Sequence, residues 1–521
     1  MRKLLTPLII ILTALLCAQS AFSQAGMLDP SYGDHGKANT RVANGGILWG
    51  MSTIDGWSVV VGGLARNNSD SDFAVSKYTR DGRPDSSFGV NGVAITQMGP
   101  GADVVYGTMI QPDGKVIAAG MAWSGTKYNF AVARYTAAGV LDTTFGDHGR
   151  AITSLSPYDN IGTAIGTQDG WSIVVGGMVS DGSTDDFGLV RYTRDGIVDS
   201  TFGVNGIVVT DLLSGSDDDL AAIAIAADSG IVAGGTTYGS GSTQYFSLAR
   251  YTRNGALDNN FGTSGRVVHT GSADDETYAV ALQPDGKVVI GGYSTNGTND
   301  DFGLLRLMAD GSVDNSFGTN GHVITAVGDS DEAMYSLLVQ PDGRIIAAGS
   351  SIDSNGQYRN ALIRYNADGT ADHTFGTDGI VAAKLSSSDN EIYAVKLETD
   401  GKIVTAGYAN DGTDDMFSMA RYLTDLTLGV IDLDRNSNSV LIYPNPVAQD
   451  ATLQYTLAKD EQVSIRIIDA QGKVVSTLTD SEKQLAGDHV QPLMLSASLA
   501  SGTYTIAISS PSGQMSVRIV K

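Results

Sequence analysis

Cysteine is almost absent from this sequence of 521 residues. The single one, Cys17, lies in an apolar N-terminal segment, so the remainder of the chain has no thiol for a disulfide. Proline is also scarce, with 12 residues against 64 glycines. This balance favours short strands joined by tight turns over long helices. We therefore expect an all-β protein that an apolar core holds together.

Basic residues are in short supply as well. The chain has 33 lysines and arginines against 57 acidic residues, which gives a net charge of -24. Such a charge opposes binding to nucleic acid or to anionic lipid through Coulomb repulsion. We therefore expect neither of these as a partner.

The sequence begins with the layout of a secretory signal peptide. Arg2 and Lys3 precede an apolar stretch, residues 8–18, and small residues flank the expected cleavage point after Ser23. The apolar stretch is too short to span a bilayer as a stable helix. We predict a signal peptide over residues 1–23 and no transmembrane anchor.

Seven copies of one unit of about 57 residues follow, over residues 24–423. Each copy starts with what we call the opening motif, which reads Asp, two residues, an aromatic, Gly, two residues and Gly. The aspartates of the opening motifs are Asp29, Asp85, Asp142, Asp199, Asp258, Asp314 and Asp372. Since a catalytic group is rarely needed seven times, we interpret these aspartates as structural: their carboxylates accept backbone N–H bonds in a turn.

Each unit contains four strand-like segments. In the fifth copy these are residues 267–270, 278–282, 288–292 and 302–307, and a Pro-Asp-Gly turn at 284–286 joins the second to the third. Four antiparallel strands repeated at this period are typical of a propeller blade. The last copy ends like an internal one, without a polar cap, which favours a closed seven-bladed ring over an open stack of sheets.

The opening motif, together with Gln-x-Asp-Gly-Lys and Asp-Phe-x-x-x-Arg-Tyr, resembles the bacterial delta-60 repeat family over about residues 28–422. The resemblance implies a propeller-like fold and little about biochemistry. The arginines of the fourth strand, such as Arg134 and Arg306, recur with the opening motif, and we interpret them as structural too.

After a polar linker at residues 424–439, the pattern of residues 440–521 alternates as in a small β-sandwich. This segment resembles the C-terminal sorting domain of type IX secretion substrates, found in Bacteroidota. The residues that carry the resemblance are Tyr443, Pro444, Asn445, Pro446, Gly472, Gly502, Tyr504 and Lys521. It implies handling by the type IX secretion machinery, attachment to surface glycolipid by a sortase-type reaction or release, and a location outside the cell.

No catalytic motif stands out. The zincin His-Glu pair, the Gly-x-Ser-x-Gly elbow and the phosphate-binding Gly-x-x-x-x-Gly-Lys are all missing from the sequence. We therefore name no catalytic and no cofactor-binding residue.

Acidic loops vary between the copies. One loop carries paired aspartates in alternate copies, and even copies carry Tyr128, Tyr245 or Tyr358 nearby. The calcium candidates are Asp185, Asp186, Asp300, Asp301, Asp414 and Asp415. Solvated turns are the simplest interpretation; calcium binding through carboxylates and glycan stacking on tyrosines are the alternatives.

These features predict a secreted or surface propeller that binds an extracellular protein or glycan. The alternative is a polysaccharide-acting enzyme with a carboxylate site in the propeller channel, since fold does not fix function.

Overall fold

The computed structural model describes residues 25–425 except 54–55, 57, 68–69 and 272–273, and residues 440–521 except 444–446, 448–449, 458, 469–473, 496–501 and 511–512. The chain divides into two compact units, Met1–Asp425 and Leu426–Lys521. The predicted signal peptide and most of the predicted linker lie outside the described residues. Within the described part, no helix is long and apolar enough to cross a membrane.

The all-β prediction is confirmed. The first unit contains seven antiparallel sheets of four strands each, and its one helical element among the described residues is a 3-10 turn, Ser240–Ser242. The strands of each blade are given from the channel outward. Blade 1 consists of β2(Gly46–Thr53), β3(Val59–Arg66), β4(Ser71–Tyr78) and β5(Val93–Thr96), and blade 2 of β6(Asp103–Ile110), β7(Val116–Trp123), β8(Tyr128–Tyr135) and β9(Arg150–Thr153). Blade 3 consists of β10(Asn160–Gly166), β11(Ile173–Ser180), β12(Asp185–Tyr192) and β13(Ile207–Thr210).

Blades 4 to 7 repeat this arrangement. Blade 4 consists of β14(Asp218–Ile225), β15(Ile231–Tyr238), β16(Gln244–Tyr251) and β17(Arg266–Val268), and blade 5 of β18(Asp275–Leu282), β19(Val288–Thr295), β20(Asp300–Leu307) and β21(His322–Thr325). Blade 6 consists of β22(Glu332–Val339), β23(Ile345–Ile352), β24(Tyr358–Tyr365) and β25(Ile380–Ala383). Blade 7 consists of β26(Asn390–Leu397), β27(Ile403–Asn410), β28(Asp415–Tyr422) and β1(Lys37–Thr40).

The ring is closed by the two ends of the repeat region. Strand β1 pairs antiparallel with β28, with Lys37 opposite Ala420 and Thr40 opposite Phe417. Blade 7 therefore takes three strands from the last copy and one from the first. The seven-bladed propeller is the architecture observed, and the open stack is wrong.

Blade and sequence repeat are out of phase by one strand. The strand that follows each opening motif is the outermost strand of the preceding blade: Ile207 of β13 pairs with Val190 of β12, which lies before the motif that starts at Asp199. Each opening motif thus links the third and fourth strands of one blade. This overlap ties every sequence copy to the copy before it.

The apolar core lies between blades, in seven clusters that each draw on two neighbours. In the cluster between blades 4 and 5, Phe246 and Leu248 pack with Val288, Ile290 and Leu305. The second strand of each blade is buried on both faces, because a blade packs on each side of it. Its sequence is accordingly a continuous apolar run, as in Val288-Val289-Ile290.

The second unit is β-rich, as expected. Its two antiparallel sheets contribute to one apolar core, which includes Leu453, Ile465 and Ile506. The strands are β29(Val440–Tyr443), β30(Asp450–Leu457), β31(Glu461–Ile468), β32(Val474–Gln484), β33(Gly487–Met494), β34(Thr503–Ser510) and β35(Gly513–Val520). The alternating sequence pattern predicted strands in this segment, although Tyr-Pro-Asn-Pro and Pro492 obscure the pattern of β29 and β33.

Candidate functional site

The innermost strands of the blades surround the propeller axis. They are β2, β6, β10, β14, β18, β22 and β26, and neighbouring members pack against each other around the ring. All seven run in the same direction along the axis. We call the end where they begin the acidic end of the channel, and the end where they finish the apolar end.

Every inner strand has a β-bulge at its fourth residue. In blade 5 the register passes from Thr277 opposite Gly292 to Ala279 opposite Gly291, which leaves Tyr278 without a partner. The glycine opposite the bulge is required, because a Cβ on Gly292 would lie 1.8 Å from the carbonyl oxygen of Glu276. Bulges re-aim side chains. Here they turn one residue of each blade toward its neighbours around the channel.

Five of these seven bulged residues are aromatic and half-buried, and together they form what we call the aromatic belt. Ring centroids lie 5.4 Å apart for Tyr106 and Trp49, 6.0 Å for Trp49 and Tyr393, 4.9 Å for Tyr393 and Tyr335, and 5.0 Å for Tyr335 and Tyr278. The belt therefore runs without interruption through blades 2, 1, 7, 6 and 5. Thr163 and Ala221 occupy the same position in blades 3 and 4 and leave a gap.

Carboxylates from three blades lie two residues before the belt position, toward the acidic end. They are Asp219, Glu276 and Glu391. Glu391 is enclosed by hydroxyl groups: Tyr408 donates to its Oε1 at 2.9 Å and Ser350 to its Oε2 at 3.2 Å. Burial raises the pKa of this carboxyl, although the Tyr408, Ser350, Tyr335 and Tyr393 hydroxyls act in the opposite direction.

Asp219 and Glu276 face the sector where the belt ends. Burial, together with the negative charges of Asp185 and Asp217, raises the pKa of Asp219 to about 6. Gln244 donates to Oε2 of Glu276 at 3.4 Å, and Tyr293 donates to the amide oxygen of Gln244 at 2.6 Å. Carboxylates and tyrosine hydroxyls thus form a hydrogen-bonded network beside the aromatic rings.

The structure separates the six calcium candidates. Asp414 and Asp415 are ion-paired to Arg41 and Arg66. Asp301 is buried and accepts a hydrogen bond from Asn296 at 2.6 Å, and Asp300 accepts one from Thr295 at 2.6 Å. Asp185 donates its backbone N–H to Asp217. None of these five carboxylates belongs to a group, among the described residues, whose oxygen atoms could share a metal ion.

Asp186 is the exception. With Asp211 and Asp218 it forms the one group among the described residues whose carboxylate oxygens lie close enough to share a metal ion, within 4.8 Å of one another. Burial and the neighbouring aspartates raise the pKa of Asp186 to about 6. The carboxylate of Asp218 already accepts hydrogen bonds from the Thr237 hydroxyl at 2.6 Å and from the Leu212 backbone N–H at 2.7 Å. Calcium binding stays a prediction.

The aspartates of the opening motifs lie in repeated ion pairs, away from the belt. Asp142 accepts the Arg134 Nε at 2.8 Å and the Thr144 hydroxyl at 2.7 Å, and the Arg134 guanidinium lies 4.8 Å from the centre of the Phe145 ring. The remaining pairs are Asp29 with Arg421, Asp85 with Lys77, Asp199 with Arg191, Asp258 with Arg250, Asp314 with Arg306 and Asp372 with Arg364. This geometry supports the structural interpretation of the opening motifs and arginines.

The belt was missed at the sequence level, although a signal was present. The tyrosines named from the sequence are Tyr128, Tyr245 and Tyr358, which lie within the first two residues of third strands. Tyr128 makes an edge contact with Trp123, with ring centroids 4.9 Å apart. The usable signal was an aromatic followed by a small residue in the second strand-like segment. It occurs as Trp49-Gly50, Tyr106-Gly107, Tyr278-Ala279, Tyr335-Ser336 and Tyr393-Ala394.

A separate cavity of about 650 Å³ lies at the rim, beside β17. Its one cation, Arg266, already donates to the backbone oxygens of Asp211 at 3.1 Å and Ser264 at 3.4 Å. The channel therefore offers the richer chemistry.

The predicted sorting residues lie partly within the described structure. Tyr443 ends β29, and the side chain of Tyr504 is buried in the core of the second unit. Gly502 and Lys521 exchange backbone hydrogen bonds of 3.0 and 2.9 Å. Pro444, Asn445, Pro446 and Gly472 lie outside the described residues.

Comparison with known families gives two matches. The model described as "Domain of unknown function (DUF5122) beta-propeller" matches residues 55–88, 111–145, 167–202, 227–261, 283–317, 340–375 and 398–428. The model described as "Secretion system C-terminal sorting domain" matches residues 441–521. A comparison with curated proteins gives no match.

Solved structures resemble the chain at low identity. A protein of unknown function from Dyadobacter fermentans is 12% identical, with 74% of this chain and 97% of that chain covered and a TM-score of 0.40. Polysaccharide lyase Uly1 is 10% identical, with 76% and 92% covered and a TM-score of 0.46. A PQQ-bound aldose sugar dehydrogenase from Streptomyces coelicolor is 12% identical, with 74% and 96% covered and a TM-score of 0.38. Scores this low carry no functional argument.

Proposed function

Carrying seven DUF5122 β-propeller repeats and a C-terminal sorting domain of the type IX secretion system, this chain is a propeller exported to the cell surface or the extracellular space, and we propose that it binds neutral carbohydrate in its channel. The aromatic belt carries the proposal. The propeller does not need five half-buried aromatic side chains in mutual contact in order to close, since Thr163 and Ala221 occupy the same position in blades 3 and 4.

The chemistry of the belt suits a pyranose. Aromatic rings present flat apolar faces against which the C–H face of a sugar stacks, while tyrosine keeps a polar hydroxyl at its rim. The neighbouring carboxylates of Asp219, Glu276 and Glu391 are hydrogen-bond acceptors, and sugar hydroxyls are donors. Stacking surface and acceptors therefore lie side by side, as a sugar ring needs.

The negative charge of the site distinguishes between uncharged and anionic carbohydrates. Asp217, Asp185 and Asp219 stand together at the acidic end, and the whole chain carries a net charge of -24. A sulfated or uronic-acid polymer would meet repulsion there in addition to desolvation. The site therefore favours uncharged glycans, such as hexose polymers, over polyanionic ones.

The gap in the belt makes the two sides of the site chemically different. Blades 3 and 4 present the small side chains of Thr163 and Ala221, beside the carboxyl of Asp219. A ligand stacked on the five rings would turn its hydroxyl edge toward this polar sector. Binding then combines one apolar wall with one hydrogen-bonding wall, the usual composition of a small-molecule site.

A second candidate is the polysaccharide-acting enzyme, favoured by one observation. A carboxyl with a pKa of about 6, such as that of Asp219, is suited to general acid or base work near neutral pH. Glu276 and Glu391 would then supply a second carboxylate from another blade. Release of reducing ends from a neutral polysaccharide would establish this function.

The test is titration calorimetry with neutral oligosaccharides, chosen from a glycan array probed with the purified chain. Tyr335 lies in the middle of one arm of the belt, between Tyr278 and Tyr393. We expect Tyr335→Ala to weaken binding about tenfold, because an aromatic contact contributes ~1.5 kcal/mol. Tyr335→Phe keeps the stacking face and should lose less.

Tyr158 provides a matched control, since it is an exposed tyrosine in the loop before β10. Tyr158→Ala should leave affinity unchanged. Equal loss in the Tyr335→Ala and Tyr158→Ala variants, or binding of sulfated glycans alone, would rule out the belt as a site for neutral sugars.

A further inference from the structure

Lys396 is the seventh residue of inner strand β26, near the apolar end of the channel. Its side chain is exposed, although the strand itself lies at the centre of the ring. An exposed side chain on an innermost strand contacts the water inside the channel. Lys396 therefore combines solvent access with protein on all sides.

The inner strands around Lys396 carry no other charge at this end of the channel. From the fifth residue onward, the seven inner strands carry glycine, alanine, serine, threonine, methionine and aliphatic residues, and Lys396 is their only charged residue. The seventh position in the other blades is Ser52, Met109, Gly166, Ala224, Ala281 and Leu338. The fold thus does not need a lysine here, and this copy departs from the others.

Lys396 also stands apart from the other lysines of the propeller. Lys77, Lys115, Lys287 and Lys402 are ion-paired to aspartates of the opening motifs, and Lys37, Lys127 and Lys384 donate to oxygens of backbone or side chains. Among the described residues, the side chain of Lys396 has no hydrogen-bond partner and no ion-pair partner. Of the propeller lysines that the structure describes, Lys396 is the one whose side chain has neither kind of partner.

An amine that protein surrounds, with no counter-charge beside it among the described residues, is less favourably solvated as an ammonium ion than an amine on the outer surface. Desolvation by the surrounding protein accordingly lowers the pKa of Lys396. A lowered pKa increases the share of lysine that carries a free lone pair, and it is this neutral amine that attacks carbonyl carbons to form Schiff bases. The amine needs access from solvent for this reaction, and the channel supplies it.

We propose that Lys396 captures small uncharged aldehydes inside the channel as imines. The Nζ lone pair attacks the aldehyde carbon to give a carbinolamine, and the two Nζ protons and the former carbonyl oxygen then leave as one water molecule. The C=O double bond is replaced by C=N, so no oxidant or reductant takes part. The uncharged walls favour an uncharged aldehyde over a charged one.

The test uses propanal with the purified full-length chain, and sodium cyanoborohydride to reduce the imine to a stable propyl-lysine. Peptide mass spectrometry follows the modification of each lysine over time at neutral pH. The reference is Lys384, a lysine of the loop before β26 that donates to Gln357. We expect Lys396 to be modified faster than Lys384, because a lowered pKa raises the fraction of the amine that is neutral at a given pH.

Three controls separate the outcomes. Lys396→Met should abolish the fast modification, and a thermal melt should show that this variant still folds. Unfolding the wild-type chain in urea should bring Lys396 and Lys384 to equal rates. A native Lys396 rate equal to or below that of Lys384 would overturn the proposal. The readout needs no carbohydrate, so its result is independent of the function proposed for the belt.

Discussion

The residue after the inner strand shows how one side chain can set the response of this protein to pH. It is glutamine in blades 2, 5 and 6, at Gln111, Gln283 and Gln340, and Glu398 in blade 7. Glu398 is 1% exposed, and its Oε1 has no hydrogen-bond partner in the part of the chain that the structure describes. Burial, helped by Asp400, raises the pKa of Glu398 to about 8 against the attraction of Arg421.

We expect Glu398→Gln to stabilise the protein at pH 8 and to leave it nearly unchanged at pH 5. The folded state holds a proton on Glu398 that the unfolded chain releases above about pH 4.5, so wild-type stability falls as pH rises from there to about 8. The gain at pH 8 should exceed about 1 kcal/mol, measured by urea unfolding at both pH values.

The reverse substitution is available in blade 6. Gln340 is equally buried, at 1% exposed, and Gln340→Glu should introduce the same loss of stability with rising pH. A Glu398→Gln gain that is the same at pH 5 and pH 8 would contradict the role assigned to the carboxylate.

At the scale of the strand, the bulge is the element that creates the candidate site. Each bulge lies opposite a glycine in the second strand, where a side chain would collide with the backbone of the inner strand. A Cβ on Gly235 would lie 2.1 Å from the carbonyl oxygen of Asp219, whereas a Cβ on the adjacent Gly234 would meet side-chain atoms of Val280 and Ile290 at 3.3 Å or more. Only the former contact is with backbone.

We therefore expect Gly235→Ala to cost more than about 2 kcal/mol, since the backbone of the bulge must move to admit the methyl group. Gly234→Ala should cost less than about 1 kcal/mol, because side chains adjust more easily. Urea unfolding of the two variants measures both values. Equal destabilisation would mean that the bulge tolerates a side chain opposite it.

At the scale of the whole molecule, ring closure depends on a short N-terminal segment. Strand β1 completes blade 7, and Asp29 pairs with Arg421 at 2.9 Å across the junction. Although burial alone would raise it, the pKa of Asp29 is lowered to about 2 by hydrogen bonds from Ser31 and by Lys402 and Arg421. Tyr32 is buried under the Arg421 guanidinium, 4.6 Å from its ring centre.

Removal of residues 25–40 should therefore open the ring between blades 7 and 1. The loss includes a buried ion pair and a buried aromatic side chain, which together stabilise the fold by more than about 5 kcal/mol. Thermal melting should show a large decrease in Tm, and limited proteolysis should cut blade 7 first. A chain that starts at Ala25 is the control and should melt as the intact propeller does.

The sequence by itself determined the number of blades, the strand character of each segment and the route out of the cell. Those properties follow from local patterns: an opening motif repeated seven times, apolar runs of strand length, and a sorting motif. Periodicity and turn chemistry report on neighbours in the chain, so these parts were predictable.

Only the tertiary structure decided which strands share a blade and which side chains meet in the channel. Trp49 and Tyr393 are far apart in sequence, yet closure of the ring brings their centroids within 6.0 Å. The acidic loops were visible in the sequence, but Asp414 and Asp415 are neutralised by arginines of the first copy. Contacts of this kind depend on how copies are arranged in space, and no single copy encodes them.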